Sequence, residues 1–220
     1  MDVENFDPPI IDFDYFIDAC KKGILANVKE SLTTLAEELG KNKEYIINYP
    51  DENYTTGYMH AVYNNNLEVI RYFIKNYYCN NFYINIEGSS ALLIAIEKEL
   101  IDCLKYILLN DNTIKKIIET IDLLDSIYLK KKKIYVKLDD LLTSFGQDNP
   151  NVIKLFLKLE KLDKVELKFY RDLNFLHFEQ IILCFKNSKN SIILSLLNNT
   201  FGSYEDLEYI YDKIKTGEVM

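Results

Sequence analysis

Tryptophan is absent from this chain, and proline (4), glycine (7) and histidine (2) are scarce. A β-sandwich or barrel needs a turn signal every ~8–12 residues, more than so few Pro and Gly supply. The shortage therefore favours helices. No run approaches the ~18 uninterrupted apolar residues of a membrane-spanning helix, and the start lacks the basic segment and apolar run of a secretory leader. An excess of base is missing too: 26 Lys and Arg stand against 34 Asp and Glu, a net charge of −8. Nucleic-acid and anionic-membrane binders gain affinity by releasing counterions with Lys and Arg, so an acidic chain starts from repulsion. The cysteines (Cys20, Cys79, Cys103, Cys184) form no CxxC and no dense framework. That spacing fits free, buried thiols in a reducing, cytoplasmic compartment.

What is present is a folded composition: 220 residues, 48% apolar and 27% charged, enough to bury a real core. Its aromatic content is mostly Tyr (17) and Phe (12). Asp2, Glu4, Asp7, Asp12, Asp14 and Asp18 precede any base and are broken by Pro8-Pro9, so residues 1–11 read as an extended acidic arm.

From residue 12 the chain carries an internal period. Thr56–Ile74 (TGYMHAVYNNNLEVIRYFI) overlays Ser90–Leu108 (SALLIAIEKELIDCLKYIL) at a constant offset of 34 positions. Thr56 meets Ser90, Ala61 meets Ala95, Leu67 meets Ile101, Glu68 meets Asp102, Ile70 meets Leu104, Arg71 meets Lys105 and Tyr72 meets Tyr106. A small hydroxylated residue at Thr56 and Ser90 caps a short first helix. Ala61 and Ala95 let adjacent helices approach, and a polar turn follows at Asn64–Asn66 or Glu97–Glu99. The second helix then aligns Leu67, Ile70, Phe73 and Ile74 on one apolar face. Such a helix pair cannot bury both faces alone and needs stacked neighbours.

This pattern resembles the ankyrin-repeat family. Leu67-Glu68-Val69-Ile70-Arg71-Tyr72-Phe73-Ile74 matches that family's second helix class for class, while Thr56-Gly57-Tyr58-Met59-His60-Ala61 is an eroded first-helix motif. Met59 stands where the family has His, so His60 is not assigned the family's bracing hydrogen bond. The turn glycine is replaced by Asn65, which tolerates left-handed backbone, and by Glu99, which does so less readily. Flanking copies are weaker: Phe16–Gly23 with Val28 and Leu32; Leu141 and Ser144 with Asn151–Leu157; and Ile181, Cys184 and Ser191–Leu197. The resemblance implies an all-α helix-pair solenoid of about four to five degenerate repeats, as one domain over 12–220. The best repeats are 53–85 and 87–112, with insertions at about 33–50 and 111–135 and a C-terminal capping helix at 203–215. Within the second insertion Ile114, Ile117, Ile118, Ile121, Leu124 and Leu129 predict an extra helix with one apolar side. HEAT-like paired-helix repeats are the alternative solenoid.

Residues with chemistry are sparse. His177 and Cys184 share a helix face as a packed pair. Asp12-Phe13-Asp14 has the spacing of a carboxylate pair but sits in solvated charge, and Gly88-Ser89-Ser90 lacks the Gly-Lys of a phosphate loop. No catalytic set, metal site or cofactor is assigned. Lys130–Lys133 is the one basic block, read as an exposed turn, an import signal or a contact for an acidic partner. Tyr77-Tyr78 and Phe82-Tyr83 are candidate anchors on a protruding loop, or packing beneath it.

The resemblance implies a protein-binding scaffold, not an enzyme, with finger loops and inner helices placing Tyr54, His60, Tyr63, Asn64, Tyr83, Glu87, Glu97 and Lys98 against a protein partner. A monomer without nucleic-acid or membrane partners is expected. Only Arg71 and Arg171 are Arg, and the richness in Ile, Asn, Lys and Tyr is that of an AT-rich genome. Family members of that composition include host-directed effectors, acting in a host cytoplasm. The alternatives are an enzyme or enzyme modulator with active groups in the insertions, which predicts a pocket near residues 111–140, and a self-associating structural module.

Overall fold

The computed structural model describes residues 13–147, 149–172 and 175–216. The acidic arm predicted at 1–11 lies outside them. Twelve α-helices occupy the described residues, and pairing of the extended kind is confined there to one isolated bridge, Pro50 to Thr56. Contacts divide the chain into two compact units, Met1–Asp111 and Asn112–Met220.

In the first unit three helix pairs stack: α1 (Phe13–Lys22) with α2 (Leu25–Leu39), α4 (Gly57–Tyr63) with α5 (Leu67–Asn76), and α6 (Ala91–Glu97) with α7 (Ile101–Asn110). The first insertion is the lengthened end of α2 plus a short α3 (Lys43–Asn48), whose Asn42 caps the Tyr45 amide. First helices pack on first helices, α1 on α4 and α4 on α6, while α2, α5 and α7 form the outer layer. The small positions make this stacking possible. Ala19, Ala61 and Ala95 are buried, and a Cβ on Gly57 would come within 2.5 Å of Phe16 Cε1. On α5 the buried set is Val69, Ile70 and Phe73, with Leu67 and Ile74 only half covered. The apolar face is thus turned toward Val69 from its predicted centre, because that side meets the neighbouring pairs.

The period recurs bond for bond in the main chain. Thr56 Oγ1 accepts from the Met59 amide and Ser90 Oγ from the Leu93 amide. At the turn, Asn66 N–H bonds Ala61 O (2.9 Å) and Leu100 N–H bonds Ala95 O (2.8 Å). Both turns need left-handed backbone: Asn65 has φ 55° and Glu99 φ 54°, the geometry Gly23 supplies at φ 73°. Asn66 also donates both amide hydrogens backward, to Cys20 O (2.7 Å) and Lys21 O (2.9 Å), joining the second pair to the first.

In the second unit α8 (Asn112–Phe145) and α9 (Pro150–Asp172) pack as a long hairpin, followed by α10 (Phe175–Asn187), α11 (Ser191–Phe201) and α12 (Tyr204–Thr216). The helix predicted for the second insertion exists but runs on to Phe145, so Ser144 lies in its last turn and not in a first-helix position. Ile114, Ile117, Ile121 and Leu124 are buried; Leu129, expected beside them, is exposed. Leu138, Val152 and Leu159 form the hairpin core, with Ile134, Leu142 and Leu155 against it. Lys130–Lys133 is neither a turn nor a uniform basic block. It lies mid-helix, and Lys131 is buried and pairs with Asp163 at 2.5 Å. Ser203 opens α12 as the sequence indicates, accepting from the Asp206 amide while its hydroxyl donates to the Asp206 carboxylate.

Candidate functional site

Two hairpin loops precede the first helices α4 and α6, and both are built by an acceptor side chain folding the loop onto itself. Asp51 N–H bonds Thr55 O, and Asp51 Oδ1 accepts from the Asn53 and Thr55 amides, each at 2.9 Å. Asn85 does the same 34 positions on, accepting from the Glu87 and Ser89 amides. Tyr54 (φ 56°) fills the left-handed position that Gly88 (φ 79°) holds in the next loop. The loops also touch each other, Ile86 N–H donating to Asn53 O at 3.2 Å.

The tips lie at 51–55 and 85–89, and of the two readings open for Phe82 the structure takes packing: its ring is buried under the loop. Tyr77 turns inward to share a 3.1 Å hydroxyl contact with Tyr72, and Tyr78 stays exposed. Beneath the loop, Tyr58 donates to Asn81 Oδ1 (2.7 Å) and Asn81 donates to Asp111 Oδ2 (2.9 Å), a fully buried chain spanning two repeats. Burial pushes the Tyr58 hydroxyl well above its usual range. The four cysteines are buried and unbridged, and burial raises the Cys103 thiol to about 12 and the Cys79 thiol well above its usual range.

Between the loops and the first helices lies a groove of about 510 Å³. His60, Tyr63, Asn64, Glu87, Glu97 and Lys98 line it together with Lys21, Asn53 and Ile86. Tyr54 and Tyr83 are the two predicted contact residues outside its lining; Tyr54 projects from the first loop, more than half exposed, and Tyr83 is half-buried. Lys98 Nζ sits 3.7 Å from the centroid of the exposed Tyr63 ring, a cation–π contact between two repeats that line the groove. His60 does brace the structure after all. Its Nε2–H donates to Asp51 Oδ2 at 2.8 Å, tying helix α4 to the first loop. Burial is the first cause acting on the imidazole and lowers its pKa, outweighing the Asp51 carboxylate, so the ring is neutral near pH 7. Asp51 is held below the ordinary carboxylate value by the His60 and backbone hydrogen bonds acting against its own desolvation.

The second unit carries two troughs on the outward sides of its hairpin. One, about 470 Å³, is lined by Leu129, Lys132, Lys133, Val136 and Lys137 of α8. The other, about 430 Å³, is lined by Asn151, Lys154, Leu155, Leu157, Lys158 and Lys161 of α9. Among the described residues no three His, Cys, Asp or Glu stand together as a metal would require, and no helix is long and apolar enough to cross a membrane.

Paired short helices, left-handed turns and projecting hairpins on a fixed period define a helix-pair repeat array. Residues 16–119 match the family of ankyrin repeats in 3 copies, and this stretch of the chain is an ankyrin-repeat array. Ankyrin repeats generally mediate protein–protein interaction and are typically not enzymes. The match ends before the further copies expected past residue 140. No curated protein and no solved structure matches the chain.

Proposed function

We propose that the first unit is a protein-binding module that takes its partner on the loop-and-groove side. The groove is the observation that carries this reading. It gathers aromatic, cationic, anionic and amide side chains from two repeats onto one concave surface. Tyr63 and Tyr54 supply broad amphipathic contact area at low entropic cost, Glu87 and Glu97 supply acceptors, and Ile86, 62% exposed, gives the second loop an apolar tip. The main-chain and Asp51–His60 bonds hold these groups in place before a partner arrives, so little ordering entropy remains to be lost on binding.

The test compares capture from a lysate by the wild type, by Tyr63→Ala/Glu97→Ala and by Asp102→Ala, a change on the exposed side of the outer helix α7. Loss of the captured bands in the double variant alone, at unchanged melting temperature, is the expected result. Equal capture by all three proteins sinks the groove assignment.

A further inference from the structure

The α9 helix keeps one face on the hairpin core through Val152, Leu155 and Leu159, yet its opposite side is not polar. Ile153, Phe156 and Leu157 are each at least 50% exposed within a single turn and a half. Scattered exposed apolar side chains need no explanation, but a contiguous cluster marks an interaction surface. Lys154, Lys158 and Lys161 border it at helical spacing, and none has an ion-pair partner among the described residues. The nearby carboxylate Glu160 is already paired with Lys164 at 2.8 Å. In an acidic protein this half of the chain is close to neutral: residues 112–220 hold 17 Lys and Arg against 16 Asp and Glu, where residues 1–111 hold 9 against 18.

We propose that this outward face of α9 docks an acidic amphipathic helix of a partner protein. The three lysines run roughly parallel to the helix axis over about 10 Å (seven residues at ~1.5 Å). A second helix lying alongside meets that row with Asp or Glu at i, i+3 or i+4, and i+7, the spacing of neighbours on one helical face. Its aliphatic side chains then cover Ile153, Phe156 and Leu157, and one of them fills the trough beside Leu157. A flat anionic bilayer fits less well. It would leave the trough unfilled, and the matching lysine-bordered trough on α8 faces away from α9, because each helix turns its core side to the other. No single plane reaches both.

The probe is a fluorescein-labelled synthetic helix with Leu on one face and Glu at the flanking positions, titrated against the full chain by anisotropy. Controls are a scramble of the same composition and co-sedimentation with phosphatidylserine vesicles. Binding is expected to weaken about tenfold in Lys154→Glu/Lys158→Glu/Lys161→Glu and for the scramble, and to fall with added salt. Leu157→Ser, which keeps every charge, weakens it severalfold. Circular dichroism establishes that each variant retains its helices, with Lys158→Glu alone as the milder substitute. Equal binding of the scramble, or unchanged affinity in the lysine variants, overturns the proposal. So does lysine-dependent vesicle binding without peptide binding, which would assign the face to a bilayer.

Discussion

Glu99 holds a left-handed backbone that side chains with a Cβ avoid, and replacing it by glycine should stabilise the protein. The left-handed conformation costs an L-residue ~1–2 kcal/mol. Glycine removes that cost but returns ~0.4–1 kcal/mol through the greater freedom of its unfolded chain. With the two ranges set low end against low end and high end against high end, the net gain is about 0.5–1 kcal/mol. Because Glu99 also makes a further interaction, the fair reference is Glu99→Ala, which loses the same side chain and keeps the Cβ. With a urea slope of ~2 kcal/mol/M, Glu99→Gly should shift the unfolding midpoint about 0.25–0.5 M above Glu99→Ala, at unchanged slope. The parallel pair at Asn65 should give Asn65→Gly close to wild type, since Asn tolerates this geometry best among side chains with a Cβ. If Glu99→Gly is no more stable than Glu99→Ala, the turn is not left-handed in solution and the bond-for-bond recurrence fails there.

Asn81→Leu strands the Tyr58 hydroxyl and takes a hydrogen bond from Asp111, so it should cost about 2–4 kcal/mol in urea unfolding; a change under ~0.5 kcal/mol would show that the chain is dispensable. Thr56→Ala and Ser90→Ala should each lower stability by ~1 kcal/mol through loss of a cap, and near-equal values would show that the two first helices are equivalent. Because folding lowers the His60 pKa, its contribution is fully present above the ordinary value of 6.5 and is lost as pH falls through the lower folded value. The unfolding midpoint should therefore drop on going from pH 7.5 to pH 5.5, about where an ordinary imidazole titrates; His60→Gln should reduce that drop and leave the part due to His177, whose pKa burial also lowers. The Asp51 contribution is separate, being lost only below its own ordinary value of 3.8. Asp163→Ala should destabilise the hairpin more than Lys131→Met, because the first leaves a buried ammonium behind and the second removes it.

The repeat was legible where residues act locally. Thr56 and Ser90, Ala61 and Ala95, and the left-handed turn positions Asn65 and Glu99 all announce themselves at a spacing of 34 and do in the structure what that spacing implies. Contacts between distant residues were not. Nothing periodic marks Tyr58, Asn81 and Asp111 as one chain, since each belongs to a different element. The loop builders do carry a periodic signal: Asp51 and Asn85, with Thr55 and Ser89, share the same offset and mark the tips. Aromatic content drew attention to Phe82 instead, a residue whose apolar ring is better placed inside. The lysine block misled for a similar reason. Charge outweighed period, although Ile127, Lys131, Ile134 and Leu138 recur at helical spacing on the buried side of α8.

Asn66 gives the array a weakness of a chemical kind. Its side-chain amide reaches both Cys20 O and Lys21 O, and it does so with the two hydrogens that an aspartate at this position would lack. One oxygen for one nitrogen would turn a clasp between the first two helix pairs into a carboxylate facing two carbonyls. Two hydrogens of one primary amide thus carry the side-chain clasp between the first two helix pairs, and Asn66→Asp, which exchanges them for a second oxygen, would loosen the first repeat from the second.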